Sequence, residues 1–298
     1  MTTEITGLLK QTYQDWSAHR SQTMGASLAY FTVLSLAPLL IIAVAIAGLA
    51  FGKKAVEGLI VYQISDLVGA AGAQAIQTIL ANAKSPSQGI VATVLGFLTL
   101  LVGASGVFNE LRNALNAIWD VRSASSGLQS LLKEQLRSFG LVLSIGFLLL
   151  VSLIVSAVLS GVSKFVGDYV PVSVLWISDV LISLVVITVL FALMYRVVPD
   201  THILWTDVWI GAAATAILFT LGKYLIGVYL GKASVGSAYG AAGSLVIVLV
   251  WVYYSAQILL FGAEFTHVYA LRKGSRRNQV RLRPSYSPKL VPIQSRHA

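Results

Sequence analysis

The sequence predicts an all-α fold: a polytopic membrane protein of six transmembrane helices, with amphipathic helices at the membrane interface. Three observations carry this. No charged side chain occurs between Arg20 and Lys53, Lys84 and Glu110, Arg137 and Lys164, or Lys232 and Glu264. Two further apolar runs hold one charge each, Asp179 in the stretch up to Arg196 and Lys223 between Asp207 and Lys232. A helix needs about 20 residues to cross a bilayer core, and every run reaches that length. Next, 56% of the 298 residues are hydrophobic and only 11% charged, where a soluble domain carries about 25% charged residues. Last, the 21 Lys and Arg are unevenly shared. Spans at roughly 26–51, 89–108, 139–162, 174–196, 208–231 and 244–268 leave 15 of them on the side of the two termini and 5 on the other, with Lys223 inside a span. The positive-inside rule then puts both termini in the cytoplasm of a multi-pass inner (plasma) membrane protein. The net charge of +9 is read as this orientation signal, and no nucleic-acid partner is expected.

Taken in order, residues 1–23 form a cytoplasmic amphipathic arm with Trp16 as its interface anchor, residues 24–271 the membrane domain, and residues 272–298 a basic, disordered cytoplasmic tail. Pro38 removes a helix hydrogen bond from the first span and kinks it. The loop from Lys53 to Gln88 has helical spacing at Val56, Leu59, Ile60, Ile64 and Leu67, which suits helices lying on the outer surface or dipping into the bundle. The second span carries Gly96, Thr99, Gly103 and Gly106 on one face, the third Ser152, Ser156 and Ser160, and the fifth Gly227 and Gly231. Small residues at such spacing let helix backbones approach closely in lipid; the alternative for each stripe is a lined pathway. After the second span the helical pattern continues to Trp119, with Leu111, Leu115, Ile118 and Trp119 on one face and Arg112 and Asn116 elsewhere. This predicts a cytoplasmic interfacial helix. Four glycines between Gly231 and Gly243 surround Tyr239, as a tight turn or a short re-entrant piece requires. The tail, with Pro284, Pro288 and Pro292 among many Arg, reads either as a topology signal alone or as a segment that binds anionic lipid headgroups.

Chemistry has few candidates. There is no cysteine, hence no disulfide, thiolate metal site or cysteine nucleophile. His19, His202, His267 and His297 are scattered, and neither a His-Glu-x-x-His pair nor a phosphate-binding Gly-x-x-x-x-Gly-Lys-Ser/Thr loop occurs. No enzyme activity, metal or cofactor is expected. The informative groups are polar residues inside spans, which are costly there and mark pathways or pairs. Lys223 and Glu264 differ in predicted depth by roughly 17 Å, whereas Asp179 and Lys223 differ by only about 5 Å. Asp179–Lys223 is therefore the expected structural pair. Glu264 falls near the cytoplasmic edge with Arg196, Arg112 and Asn116, where Arg196 or Arg112 is the expected partner. Tyr253, Gln257 and Glu264 form a polar stripe within about 40° on the last helix. The stripe reads either as interhelical hydrogen bonding or as a pathway. Lys223, Tyr253 and Gln257, with Gly227 leaving room, are the candidate binding site for a small anionic solute.

Several segments resemble the YihY/BrkB family of bacterial inner-membrane proteins, once labelled ribonuclease BN. They are Ala29 to Pro38 in the first span, Leu111 to Asn116 after the second, Val198-Pro199-Asp200 before the fifth, Tyr239-Gly240, and Trp251 to Gln257 with Gly262-Ala263-Glu264 in the last. The resemblance runs from about Met24 to Tyr269 and implies a six-span inner-membrane protein with a transporter-like or envelope-related role. The ribonuclease label finds no support in these residues. Transport or export of a small or amphiphilic anionic solute is the expected function. The alternative is a non-transporting envelope or lipid-organising factor acting through partners.

Overall fold

A computed structural model describes residues 2–35, 74, 77, 78, 106–121, 172–232 and 242–277, and all regular structure among them is helical. Helix α1 is Thr2–Ala18. Helix α2 covers residues 21–35 and α3 residues 106–118. Helices α4 (Val172–Val197), α5 (Trp205–Lys232) and α6 (Gly243–Arg272) are the long ones. The last three can cross a membrane by length and composition, over Val180–Val197, Trp205–Leu230 and Gly243–Arg272. They occupy the places of the predicted fourth, fifth and sixth spans. The first and second predicted spans are helical in their described parts. The third span, Pro38, Gly96, Gly103 and the side chain of Asp179 lie outside the described residues.

Two sharp breaks shape the first half. Arg20 adopts φ 55° between α1 and α2, and Asp120 adopts φ 55° just after α3. Around Asp120 the N–H of Val121 donates to the Asn116 carbonyl at 2.9 Å and that of Asp120 to Ala117 at 3.2 Å. This 6→1 and 5→2 pattern is a Schellman end, in which a left-handed residue satisfies the last carbonyls. Asp tolerates that conformation; the Cβ of Arg20 is strained by it.

Packing runs from α4 to α5, α5 to α6, and α6 to α1. The α5–α6 contact is a seam of small residues. A Cβ on Gly211 would collide with Thr266, and one on Gly262 with Thr215 and the Tyr195 hydroxyl. The two sides mirror each other: the Thr215 hydroxyl donates to the Gly211 carbonyl at 2.7 Å, and the Thr266 hydroxyl to the Gly262 carbonyl at 2.7 Å. Each threonine hydroxyl thus donates within its own helix while lying, with the methyl behind it, against the other helix's glycine. Further along, Gly222 faces Tyr254 and Ile258. These contacts show that α5 and α6 run antiparallel. Gly106, one of the predicted packing glycines, lies against the Phe31 ring.

Helix α3 differs from the expected interfacial helix. Its predicted apolar face is buried, but Asn116 is also only 3% exposed. Leu111, Leu115, Ile118 and Trp119 join one core with Ile187, Phe191 and Tyr195 of α4 and Ala212 and Ala216 of α5. The helix is packed into the end of the bundle because its polar residues find protein partners there instead of water.

Candidate functional site

The end of the bundle where α1 docks, here the arm side, concentrates the polar contacts. Arg112 donates from Nε to Asp200 Oδ2 at 2.8 Å, and its other guanidinium nitrogen stands 2.7 Å from the same oxygen. Asn116 Nδ2 also donates to Asp200 Oδ2 at 2.8 Å, while its Oδ1 accepts the Asp200 N–H at 2.8 Å. Asp200 sits in the Val198-Pro199-Asp200 turn that ends α4, so α3 is fastened to the α4–α5 connection. Arg196 donates to the Ile203 carbonyl and lies over the Trp205 ring at 5.8 Å. Past α6, Ser275 donates to Asp207, and Arg276 donates to Thr201 at 2.8 Å and covers Trp119 at 4.9 Å. Burial of the Arg276 guanidinium draws its pKa down.

Glu264 is fully buried. Its partner is neither Arg196 nor Arg112: His19 Nδ1 lies 2.7 Å from Glu264 Oε1. The carboxylate raises the His19 pKa above the usual 6.5 through this hydrogen bond, against the opposing effect of burial, with Asp120 and Asp15 adding to the rise. The rest of α1 is clasped to the same helix end. Arg272 donates to Gln11, and Lys273 donates to Glu4 at 2.9 Å. Trp16, the expected interface anchor, instead packs edge-on against Phe261 at 6.4 Å with its indole nitrogen buried.

The predicted polar stripe on α6 is turned toward these N-terminal helices. Gln257 Nε2 reaches the Gln22 carbonyl at 3.4 Å, and its amide fills the space beside Gly25. Gln257 Oε1 and Glu264 Oε2 are buried without hydrogen-bond partners among the described residues. Much of the stripe therefore makes interhelical contacts. Lys223 is on α5, next to Gly222, which places it level with Tyr254. Tyr253 and Gln257 are within about one turn of that level, but Gln257 is turned toward α2. Lys223 is half-buried and its Nζ lies 5.8 Å from the Tyr224 ring. One turn on, no described residue comes within 4 Å of where a Cβ on Gly227 would stand. Gly231 is within α5. Among the described residues no group of three or more His, Cys, Asp or Glu is placed to hold a metal.

Three residues with structural roles escaped the sequence reading. His19 was an arm residue with no assigned partner. Gly211 and Gly262 escaped although each is followed four residues later by threonine, a small-residue spacing that signals close helix contact.

A family model described as "Virulence factor BrkB" matches residues 12–285. A UPF0761 membrane protein of Ralstonia nicotianae, RSc1559, is 33% identical over 247 residues, covering 80% of this chain and 53% of the relative. A UPF0761 membrane protein of Verminephrobacter eiseniae is 30% identical over 81% of the chain and 57% of its own length. The chain thus spans little more than half the length of these relatives. The ribonuclease-like protein YfkH of Bacillus subtilis is 25% identical over 89% of the chain and 96% of its own length. No solved structure matches.

Proposed function

The chain belongs to the virulence factor BrkB family of membrane proteins, and from that premise we propose that it moves a small or amphiphilic anionic solute across the inner membrane without chemically altering it. Lys223 carries this reading. It is the one Lys or Arg well inside a span among the described residues, where a cation costs about 2.5–3.5 kcal/mol on insertion scales. A charge kept at that cost marks a pathway or a pair. Among the described residues the space at Gly227 is open, which leaves room for a solute beside it. Tyr253 and Gln257 supply hydrogen-bonding groups at about the same depth. Six spans, with both termini and the arm side in the cytoplasm, complete the reading.

The second reading, a non-transporting envelope factor, is favoured by the commitment of Gln257 and Glu264 to α2 and α1. The two separate in one assay. Purified protein in sealed vesicles is screened for uptake and efflux of phosphorylated and amphiphilic anions. Protein-dependent flux of at least one class is expected, and its absence from a broad panel selects the envelope factor.

A further inference from the structure

Glu264 on α6 is fully buried, and among the described residues its charge is met at one point. Oε1 lies 2.7 Å from His19 Nδ1, while Oε2 has no hydrogen-bond partner there. An ionised carboxylate out of water is costly unless a counter-charge and hydrogen bonds offset it. Four cations at this end of the bundle are engaged elsewhere: Arg112 with Asp200, Arg196 with the Ile203 carbonyl, Arg272 with Gln11 and Lys273 with Glu4. His19 is the group brought to Glu264 that can carry a positive charge.

The surroundings suit a proton on it. The other ionisable groups acting on His19 are acidic, Asp15 on α1 and Asp120 just after α3, and with Glu264 they favour the charged imidazole. Arg20, next in the chain, is exposed, and His267, one turn along α6 from Glu264, has its ring against Trp119 at 4.9 Å. The His19 side chain is 27% exposed, so water can reach it. The charged link beyond it stands in solvent. Lys273 and Glu4 are 43% and 66% exposed, and exposed pairs contribute little. The buried pair is the link between α1 and α6 whose strength turns on a proton.

We propose that His19 and Glu264 form a proton-binding site that ties the arm to the bundle: the pair holds one proton while α1 is docked and releases it to water when α1 lifts from α6. Neutral His19 can still donate from Nδ1, but it leaves the buried carboxylate without a counter-charge. Undocked, His19 titrates at the ordinary 6.5; docked, it titrates higher. Between those values docking takes up one proton. The docking constant therefore falls by up to about tenfold for each unit that pH rises, and it levels off above the docked value. The proposal does not depend on the transport reading.

The absence of cysteine allows spin labels at Gln14→Cys on α1 and Leu225→Cys on α5, both exposed, in the full chain in phosphatidylcholine nanodiscs. Pulsed dipolar spectroscopy measures the docked and undocked fractions across about pH 6 to 9, the range in which histidine titrates. With the native pair, the undocked fraction should grow with pH at the slope given above. Glu264→Gln keeps an acceptor for His19 but needs no counter-charge, so its arm should stay docked without that dependence. Glu4→Gln removes the exposed pair with Lys273 and should keep the dependence. A native pair whose docked fraction ignores pH overturns the proposal. So does a dependence that survives Glu264→Gln or disappears in Glu4→Gln.

Discussion

Helix α6 makes two contacts of opposite kind. Toward α5 it offers Gly262 and Thr266, which meet Thr215 and Gly211 at backbone distance with each threonine hydroxyl donating within its own helix. Toward α1 and α2 it offers Phe261, Gln257, Glu264 and Arg272, whose partners are Trp16, the Gln22 carbonyl, His19 and Gln11, up to 261 positions away. The seam depends on shape and is indifferent to pH and salt. The clasp depends on protonation and on long side chains held in one geometry. One helix thus carries a permanent joint on one face and a joint that can open on the other.

Four changes test that contrast, from the largest effect down. Gly262→Leu drives a branched side chain into Thr215 and displaces the Tyr195 hydroxyl from the Leu259 carbonyl, 2.8 Å away. Overpacking and a lost buried hydrogen bond together cost about 4 kcal/mol. Unfolding in detergent should show this loss, with no dependence on salt. A near-neutral result would mean that the seam is loose.

Asp200→Ala removes the anion that holds Arg112 and Asn116. The pair is partly solvated, so about 2–3 kcal/mol is expected, below the range for a fully buried pair. Asp200→Asn should recover part of it.

The third change is pH itself. Because Glu264 raises the His19 pKa, the His19 charge is complete below the ordinary histidine value of 6.5. Its contribution is lost as pH rises through the elevated value in the folded protein. Hydrogen exchange in α1 should therefore accelerate as pH rises through that window, beyond the intrinsic pH effect. In His19→Gln the excess should vanish, and exchange along the seam should show no such excess in either protein. An α1 whose excess survives in His19→Gln would remove His19 from the clasp.

The smallest effect is a gain. Arg20→Gly relieves a left-handed backbone at φ 55° and should stabilise by about 1 kcal/mol, read as a raised midpoint. A loss would mean that the arginine side chain contributes more than its strain costs.

Much of the architecture was legible because lipid imposes a simple rule on sequence. The predicted spans 174–196 and 208–231 are contained within Val172–Val197 and Trp205–Lys232. The last span reaches further than its apolar run, to Arg272, because the clasp and the tail contacts hold its end helical beyond the bilayer. Partners were less legible. Depth along a helix separated Glu264 from Lys223, but depth alone cannot choose among groups at one level. The arm's His19, 245 positions away, came to Glu264 only through the turn at Arg20. Arg112 and Asn116 were read only as lying off the apolar face, with Arg112 a candidate partner of Glu264; the turn at Asp200 is what they bind. The angular grouping of Tyr253, Gln257 and Glu264 was readable, but the helix they face was not.

The central claim is that function sits at the Lys223 level, while the arm-side polar residues hold the structure. The most direct test is anion flux in sealed vesicles for Lys223→Met, close in length but neutral, beside Glu264→Gln on the clasp face, with folding of both checked separately. Lys223→Met should weaken apparent affinity for the anion by about tenfold or more, equivalent to about 1.4 kcal/mol, while Glu264→Gln keeps it. A folded Lys223→Met protein that transports with wild-type affinity would make the lysine structural and contradict the account.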